Sequence, residues 1–353
     1  IQNADTGKND TSWEEYSEAF TNGLDIVGYN YMEDKYPLDH EMFPERVILG
    51  SENYPKEIGI HWPMVESTPY VIGDFTWTAY DYIGEAGIGK SVFLEPDDPL
   101  FKIGSFALMS YSSQFPWRFA NDADVDINGC LLPQGAYRSI VWGNNKTYLY
   151  SYDPDVFGKK ELIGNWGFTN VTKNWNWKDA DQKPVQVAVF SNGDEVELIQ
   201  NGTSVGKLTS GTRLAADLPG TLEAVSYKDG KEISRDTLVT TGPAKELRLI
   251  QEKKELSANG HEVAYVRVEI VDENGIVVPD AALRLSAAVE GVGSLAAFGS
   301  SNPITDENYT SGTFTSYHGT ATAIIRSGYQ TGMCTLTVGC EGLDEKKIAF
   351  TIK

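Results

Sequence analysis

The chain has 353 residues, 41% hydrophobic, 22% charged and 11% aromatic, with a formal net charge of −21. An acidic excess of that size, spread along the chain, argues against nucleic acid and anionic membrane as partners. No apolar run approaches the ~20 residues needed to cross a bilayer. The length allows two or three domains. The sequence opens Ile1-Gln2-Asn3 without Met or a signal peptide. It is expected to begin inside a longer protein, and a periplasmic or secreted bacterial setting is favoured over the cytoplasm.

Residues 1–12 read as a polar loop. Ser12 is expected to cap a short helix with Trp13, Tyr16 and Phe20 at helical spacing, ended by Gly23. Leu24–Tyr31 then reads as a strand, and Pro37–Phe43 as a short helix. Val47–Gly50 is apolar without alternation, as in a strand covered on both faces, and it runs into Ser51-Glu52. A helix over Lys56–Glu66, interrupted near Pro63, leads to a strand over Tyr70–Tyr82. Strand–helix–strand order repeated in this way implies parallel strands. Helices are expected at Leu100–Ser112 and Gln134–Val141, separated by a Gly/Asp-rich loop.

From Lys146 the segments become short, alternating and separated by turns. Asn192-Gly193 and Asn201-Gly202 bracket a strand at Asp194–Gln200, and Asp229-Gly230 joins Leu222–Tyr227 to Lys231–Ser234. No amphipathic helix is expected after about residue 165. Gly242-Pro243 reads as a linker. Beyond it, Leu247–Ile250, Glu262–Val271, Ala282–Ala287, Thr320–Ser327 and Cys334–Val338 read as strands, with a turn at Asp272–Gly275. Roughly seven strands in such a span match an immunoglobulin-like sandwich. Cys334 and Cys340 would lie on one strand roughly 20 Å apart, too far for a bridge. With Cys130 they are expected to be free and mostly buried thiols.

Three strand ends carry a resemblance. Asp25-Ile-Val-Gly-Tyr-Asn-Tyr31, Ile48-Leu-Gly-Ser-Glu52 and Gly73-Asp-Phe-Thr-Trp77, with Thr78 to Glu85 after it, resemble in order the last three barrel strands of family 2 glycoside hydrolases. Asp124–Arg138 is similar to the loop and final barrel helix of the β-galactosidase-like bacterial branch. Trp175-Asn-Trp177 with Asp194–Gly202 is similar to the small β-domain that follows. The resemblance implies the C-terminal part of a (β/α)8 TIM barrel followed by two all-β immunoglobulin-like sandwich domains. The implied boundaries are 1–145, 146–242 and 243–353.

It also implies roles. Glu52 matches the nucleophile of a retaining β-glycosidase, Tyr31 the tyrosine that orients it, and Trp77 the aromatic floor of the sugar subsite. Asn30, Asn53 and Glu85 lie at strand mouths where they could touch sugar hydroxyls. The chemistry suits these types: a nucleophilic carboxylate must stay ionised, which a hydroxyl donor promotes, and an indole face packs on sugar C–H groups. Competing readings are a solvated Glu52, a Tyr31 packed under a loop and a Trp77 filling a core.

In that family the acid/base glutamate follows an Asn upstream of the segment matched here, so this chain alone is expected to lack the proton donor and to be inactive. The partner implied is carbohydrate, a terminal β-galactoside or related β-glycoside, with no cofactor and no metal. Self-association through an incomplete barrel is expected. The rival reading is a non-catalytic carbohydrate-binding or scaffold fragment.

Other signals point elsewhere. Asp124-Val-Asp126-Ile-Asn128-Gly129 resembles the first half of a calcium loop, but its twelfth position is Gly135 rather than Glu, favouring a structural turn. Gly84–Gly89 lacks the Lys-Ser/Thr of a phosphate loop. Five N-x-S/T sequons, at Asn9, Asn145, Asn170, Asn201 and Asn308, are expected by chance. Trp166, Trp175 and Trp177 could form a carbohydrate platform, although interdomain packing is the commoner use.

Overall fold

The computed structural model describes residues 10–111, 114–177, 183–209, 215–216 and 220–353. Residues 1–9 of the loop expected over 1–12, with the Asn9 sequon, and Ser112 lie outside them.

The first region alternates strictly: α1 (Asp10–Thr21), β1 (Ile26–Asn30), α2 (Tyr36–Met42), β2 (Val47–Asn53), α3 (Ile58–Ser67) and β3 (Val71–Thr76). The three strands pair in parallel in the order β1-β2-β3, with Ile26 opposite Val47 and Ile48 opposite Val71. Their core joins Trp13 of α1 to Val27, Tyr29, Met32, Tyr36, Ile48 and Val71. Asp39, fully buried, accepts from the Trp13 indole (3.2 Å), the Tyr29 hydroxyl (2.8 Å) and Arg46 (2.7 Å). One carboxylate oxygen, Asp39 Oδ1, thus ties α1, β1 and α2 together.

Several boundaries differ from expectation, the largest being β3, which stops at Thr76 where the strand was expected to reach Tyr82. The first helix begins at Asp10, so Ser12 lies inside it rather than capping it. β2 continues to Asn53, which puts Glu52 within the strand. Pro63 does not interrupt α3, which runs on to Ser67. Ser67 Oγ donates back to the Pro63 and Met64 carbonyls of that last turn (2.8 and 3.2 Å).

After β3 come β4 (Ser91–Leu94), α4 (Leu100–Ile103), α5 (Phe106–Tyr111) and α6 (Pro133–Val141). The single helix expected from Leu100 is two, because Gly104 at φ +75° leaves the helical region between them. α6 starts on Pro133, where a missing N–H costs nothing, and buries Ala136, Arg138 and Ile140.

β5 (Thr147–Ser151) and β6 (Lys160–Ile163) follow. β6 runs back to pair antiparallel with β4, Ser91 opposite Ile163 and Leu94 opposite Lys160. β7 (Val185–Ser191), β8 (Glu195–Gln200), β9 (Thr203–Leu208), β10 (Ala215–Ala216), β11 (Thr221–Lys228) and β12 (Lys231–Val239) complete two antiparallel sheets, β10-β7-β5 and β12-β11-β8-β9. Leu149, Trp175, Val185, Leu198, Leu222 and Leu238 form their core. Among the described residues after 165 no α-helix occurs, as the sequence reading expects.

The last region holds β13 (Glu246–Gln251), β14 (Glu255–Leu256), β15 (Val263–Val271), β16 (Arg284–Gly291), β17 (Gly293–Gly299), β18 (Thr313–Thr315), β19 (Thr320–Ser327), β20 (Gly332–Cys340) and β21 (Leu343–Ile352). A four-stranded sheet, β13-β15-β19-β17, and a five-stranded one, β14-β21-β20-β16-β18, share one apolar core. All three thiols are free, but only Cys334 is buried. This region also touches the first: Arg118 donates to the Pro303 and Glu307 carbonyls, both at 2.9 Å.

Candidate active site

Glu52 sits at the C-terminal end of β2. Its carbonyl accepts from the Tyr31 amide (2.8 Å), just past the end of β1. Tyr31 itself adopts φ +56°, a left-handed backbone rare for a bulky side chain and held only where surroundings over-determine it. Its hydroxyl donates to Glu52 Oε2 at 3.1 Å. Its ring stacks on Tyr54 (centroids 4.4 Å apart, planes at 29°). The Trp166 indole closes the group, its Nε1 donating to the Tyr31 oxygen at 2.7 Å while its edge meets both tyrosine rings. Burial raises the Tyr31 pKa well above the usual phenol range; the Trp166 donor opposes this and the Glu52 charge adds to it. The phenol therefore keeps its proton at any physiological pH and can act as a donor to the carboxylate.

Trp77 follows β3, its amide donating to the Asn53 carbonyl at 3.0 Å. The Trp77–Thr78 peptide bond is cis. The indole is half-buried, and its Nε1 donates to the Tyr82 hydroxyl (3.1 Å), which donates to Glu85. The same sequence of groups (indole, phenol, carboxylate) thus occurs twice at this end of the sheet.

The other expected contacts are placed differently from one another. Asn30 lies at the end of β1 and its side-chain oxygen accepts from Ser51 at 2.7 Å. Glu85 is exposed. Asn53 is 3% exposed, with its amide nitrogen given to Asp74. Asp74 in turn faces Arg138 Nη1 at 3.7 Å, and Arg138 Nε donates to Asp124 at 2.5 Å. This buried chain from α6 through β3 to β2 has no signature in sequence spacing, because its members lie on four separate segments. Asp124, one of the would-be calcium ligands, is committed to it. Asp126 accepts from the Asn128 and Cys130 amides (2.9 and 2.8 Å), the pattern of a turn closed on its own side chain.

Two further groups escaped the sequence reading. Glu33, Glu57 and His61 hold their ligand-type atoms within 4.8 Å of one another, a set able in principle to take a divalent cation. It arises from three elements, so a search for Cys/His spacing misses it. His61 Nε2 already meets Glu33 at 2.9 Å and Glu57 at 3.6 Å. Burial by itself would lower the His61 pKa, but its bond to Glu33 and the charges of Glu33, Asp74 and Glu57 raise it. Asp81 and Asp122 are a buried acid pair, raised to about 6 and about 7, first by burial. The three tryptophans offer no common platform: Trp175 is 1% exposed in a sheet core, and Trp177 packs against that core.

Comparison with known proteins follows the same lines. Residues 247–349 match the glycoside hydrolase family 2 C-terminal domain 5, and residues 182–234 a domain of unknown function (DUF4982). The chain also matches a β-galactosidase of Bacteroides ovatus at 23% identity, over 91% of this chain and 38% of that protein. A solved family 2 member from Bacteroides cellulosilyticus matches at 30% identity and a TM-score of 0.81, over 96% of this chain and 43% of that one. These matches support a C-terminal portion of a glycoside hydrolase family 2 protein. A β-galactosidase of Thermoanaerobacter pseudethanolicus is 28% identical over 68% of this chain and 29% of the relative. The chain thus spans less than half the length of these relatives, and what it matches in them is a C-terminal portion.

Proposed function

We propose that this chain supplies the nucleophile of a retaining β-glycosidase, with Glu52 as that nucleophile. The observation that carries the reading is the short, donor-matched link from Tyr31 to Glu52 at the C-terminal mouth of parallel strands, where barrel enzymes keep their chemistry. Ionised Glu52 attacks the anomeric carbon and forms a glycosyl ester as the glycosidic C–O bond breaks. A second carboxyl protonates the leaving oxygen, then takes a proton from the water that releases the sugar. That carboxyl is proposed to lie outside these 353 residues, in keeping with relatives more than twice as long. Trp77 would floor the sugar subsite, and Asn30 and Glu85 would meet hydroxyls. Asn53, turned inward on Asp74, would hold the strand beside the nucleophile.

The finer architecture belongs to the same reading. The three parallel strands would be the last of a TIM barrel, and the two β-regions immunoglobulin-like, with boundaries near 145 and 242. The outer edges of β1 and β3 pair with no strand among the described residues, and Ile26, Ile72 and Phe75 are exposed there. That is the surface an open barrel segment presents, and it favours self-association of this piece. A terminal β-galactoside is the proposed substrate, by analogy with the β-galactosidase relatives, and export from the cytoplasm the proposed setting.

The test uses the full-length protein and an activated 2-deoxy-2-fluoro-β-galactoside, which traps the ester. Mass mapping should find the sugar on the peptide carrying Glu52, and Glu52→Gln should abolish both labelling and turnover of an aryl β-galactoside. Labelling of another carboxylate, or near-normal turnover by Glu52→Gln, overturns the assignment.

A further inference from the structure

Trp166 comes from the segment after β6, far along the chain from the strands it serves. We infer that it is a positioning residue: its indole N–H fixes the direction of the Tyr31 hydroxyl proton and so commits that proton to Glu52. The argument is one of donor and acceptor inventory. An indole nitrogen can only donate, an ionised carboxylate can only accept, and a phenol can do both. With Trp166 Nε1 at 2.7 Å on one side of the Tyr31 oxygen and Glu52 Oε2 at 3.1 Å on the other, one assignment satisfies all three groups. The oxygen accepts from Trp166, and its proton must point at Glu52. Without Trp166 the hydroxyl rotor is free, and the oxygen can itself take a proton from a passing water or substrate hydroxyl.

The packing shows that Trp166 is built to do this. Its ring sits edge-on to both Tyr31 (5.8 Å, 87°) and Tyr54 (5.4 Å, 75°), while those two rings stack on each other. The chain just before it is anchored to three other segments. The Gly164 amide donates to the Lys90 carbonyl (3.1 Å), the Gly164 carbonyl accepts from Lys56 Nζ (2.9 Å), and the Asn165 side chain accepts from Ser105. β6 just before it is locked to β4. Lys56 lies only four residues beyond Glu52, so one loop is tied both to the nucleophile's strand end and to the nucleophile's tyrosine. The indole N–H is spent on Tyr31, so it is not available to donate to a sugar hydroxyl.

The inference rests on Glu52 being the nucleophile for its catalytic consequence, but not for the hydrogen-bond relay itself, and two measurements separate the parts. In the 353-residue chain, tryptophan-selective 15N labelling gives an indole resonance for each tryptophan, and Trp166→Phe assigns the one of interest. Tyr31→Phe should shift that resonance, and Glu52→Gln should shift it by a smaller amount. A resonance unmoved by Tyr31→Phe overturns the relay. In the full-length enzyme, Trp166→Phe keeps the ring and removes the donor; kcat should fall by about tenfold with KM unchanged. In a Tyr31→Phe background the same substitution should cost nothing further. Additive losses, or a loss confined to KM, overturn the positioning role and favour a sugar contact. If Glu52→Gln stays active while the resonance responds as stated, the failure belongs to the nucleophile assignment and not to the relay.

Discussion

At Tyr31 the hydroxyl and the backbone are both constrained. A left-handed φ, a stacked neighbour and an indole donor leave it one arrangement. Tyr31→Phe keeps the ring and should leave the melting temperature nearly unchanged, while kcat of the full-length enzyme falls by roughly ten- to a hundredfold; steady-state rates and a thermal scan on the same sample check both halves. The buried acid pair gives a second residue-level prediction. Asp122 has no exposed surface, and its Oδ1 accepts from Thr78 at 3.2 Å. Its folded pKa, about 7, lies above the ordinary value of 3.8, so between those values the folded chain binds more protons than the unfolded one. The stability it contributes is complete below about pH 4 and is lost as pH rises through about 7. Asp122→Asn should remove that loss, raising stability at pH 8 by on the order of a few kcal/mol relative to wild type while changing little at pH 4. Denaturant titrations at the two pH values decide it; a gain equal at both pH values refutes the mechanism.

Within elements, β2 is the strand that cannot be altered quietly. A Cβ on Gly50 would stand 2.3 Å from the Asn53 amide nitrogen and 2.9 Å from the Tyr36 hydroxyl. The Asn53 amide is held by Asp74, so it cannot swing aside without losing that bond. Gly50→Ala should therefore destabilise by about 1–3 kcal/mol, measured by chemical unfolding. α6 is fixed to β3 by charge: Arg138 is 5% exposed between Asp74 and Asp124. Arg138→Met leaves two buried carboxylates without their cation and should cost about 3–5 kcal/mol. A thermal midpoint within two degrees of wild type would show that these carboxylates are compensated elsewhere.

Across the whole molecule, the sequence was most readable where one short segment carries its own signal. The parallel strands showed as apolar runs between helical ones, and Glu52, Tyr31 and Trp77 showed at their ends. Hairpins at Asp229-Gly230 and the strand at Thr320–Ser327 were legible for the same reason. β21 was missed because the charged run Asp344-Glu345-Lys346-Lys347 occupies both faces of its first half and breaks the apolar alternation, and β17 because glycines bound it. Arg138, Trp166 and the Glu33–His61 pair could not be placed, since their meaning lies in contacts up to 135 residues apart. The exposed edges of β1 and β3 lead to a prediction for the isolated chain: sedimentation at micromolar concentration should detect species larger than the 38.9 kDa monomer. A single monomeric boundary would show that those edges are covered.

The pairing of β4 with β6 has a consequence for how such chains can be recombined. A crossover placed near residue 145, where the texture of the sequence changes, would part β4 from the strand it pairs with and carry Trp166 off with the wrong parent. Chimaeras exchanged there should express poorly and, where they fold, turn over slowly. A graft that keeps residues through Gly167 with the helical region would inherit both the seam and the indole, so the unit that is heritable as one piece is longer than the barrel it resembles.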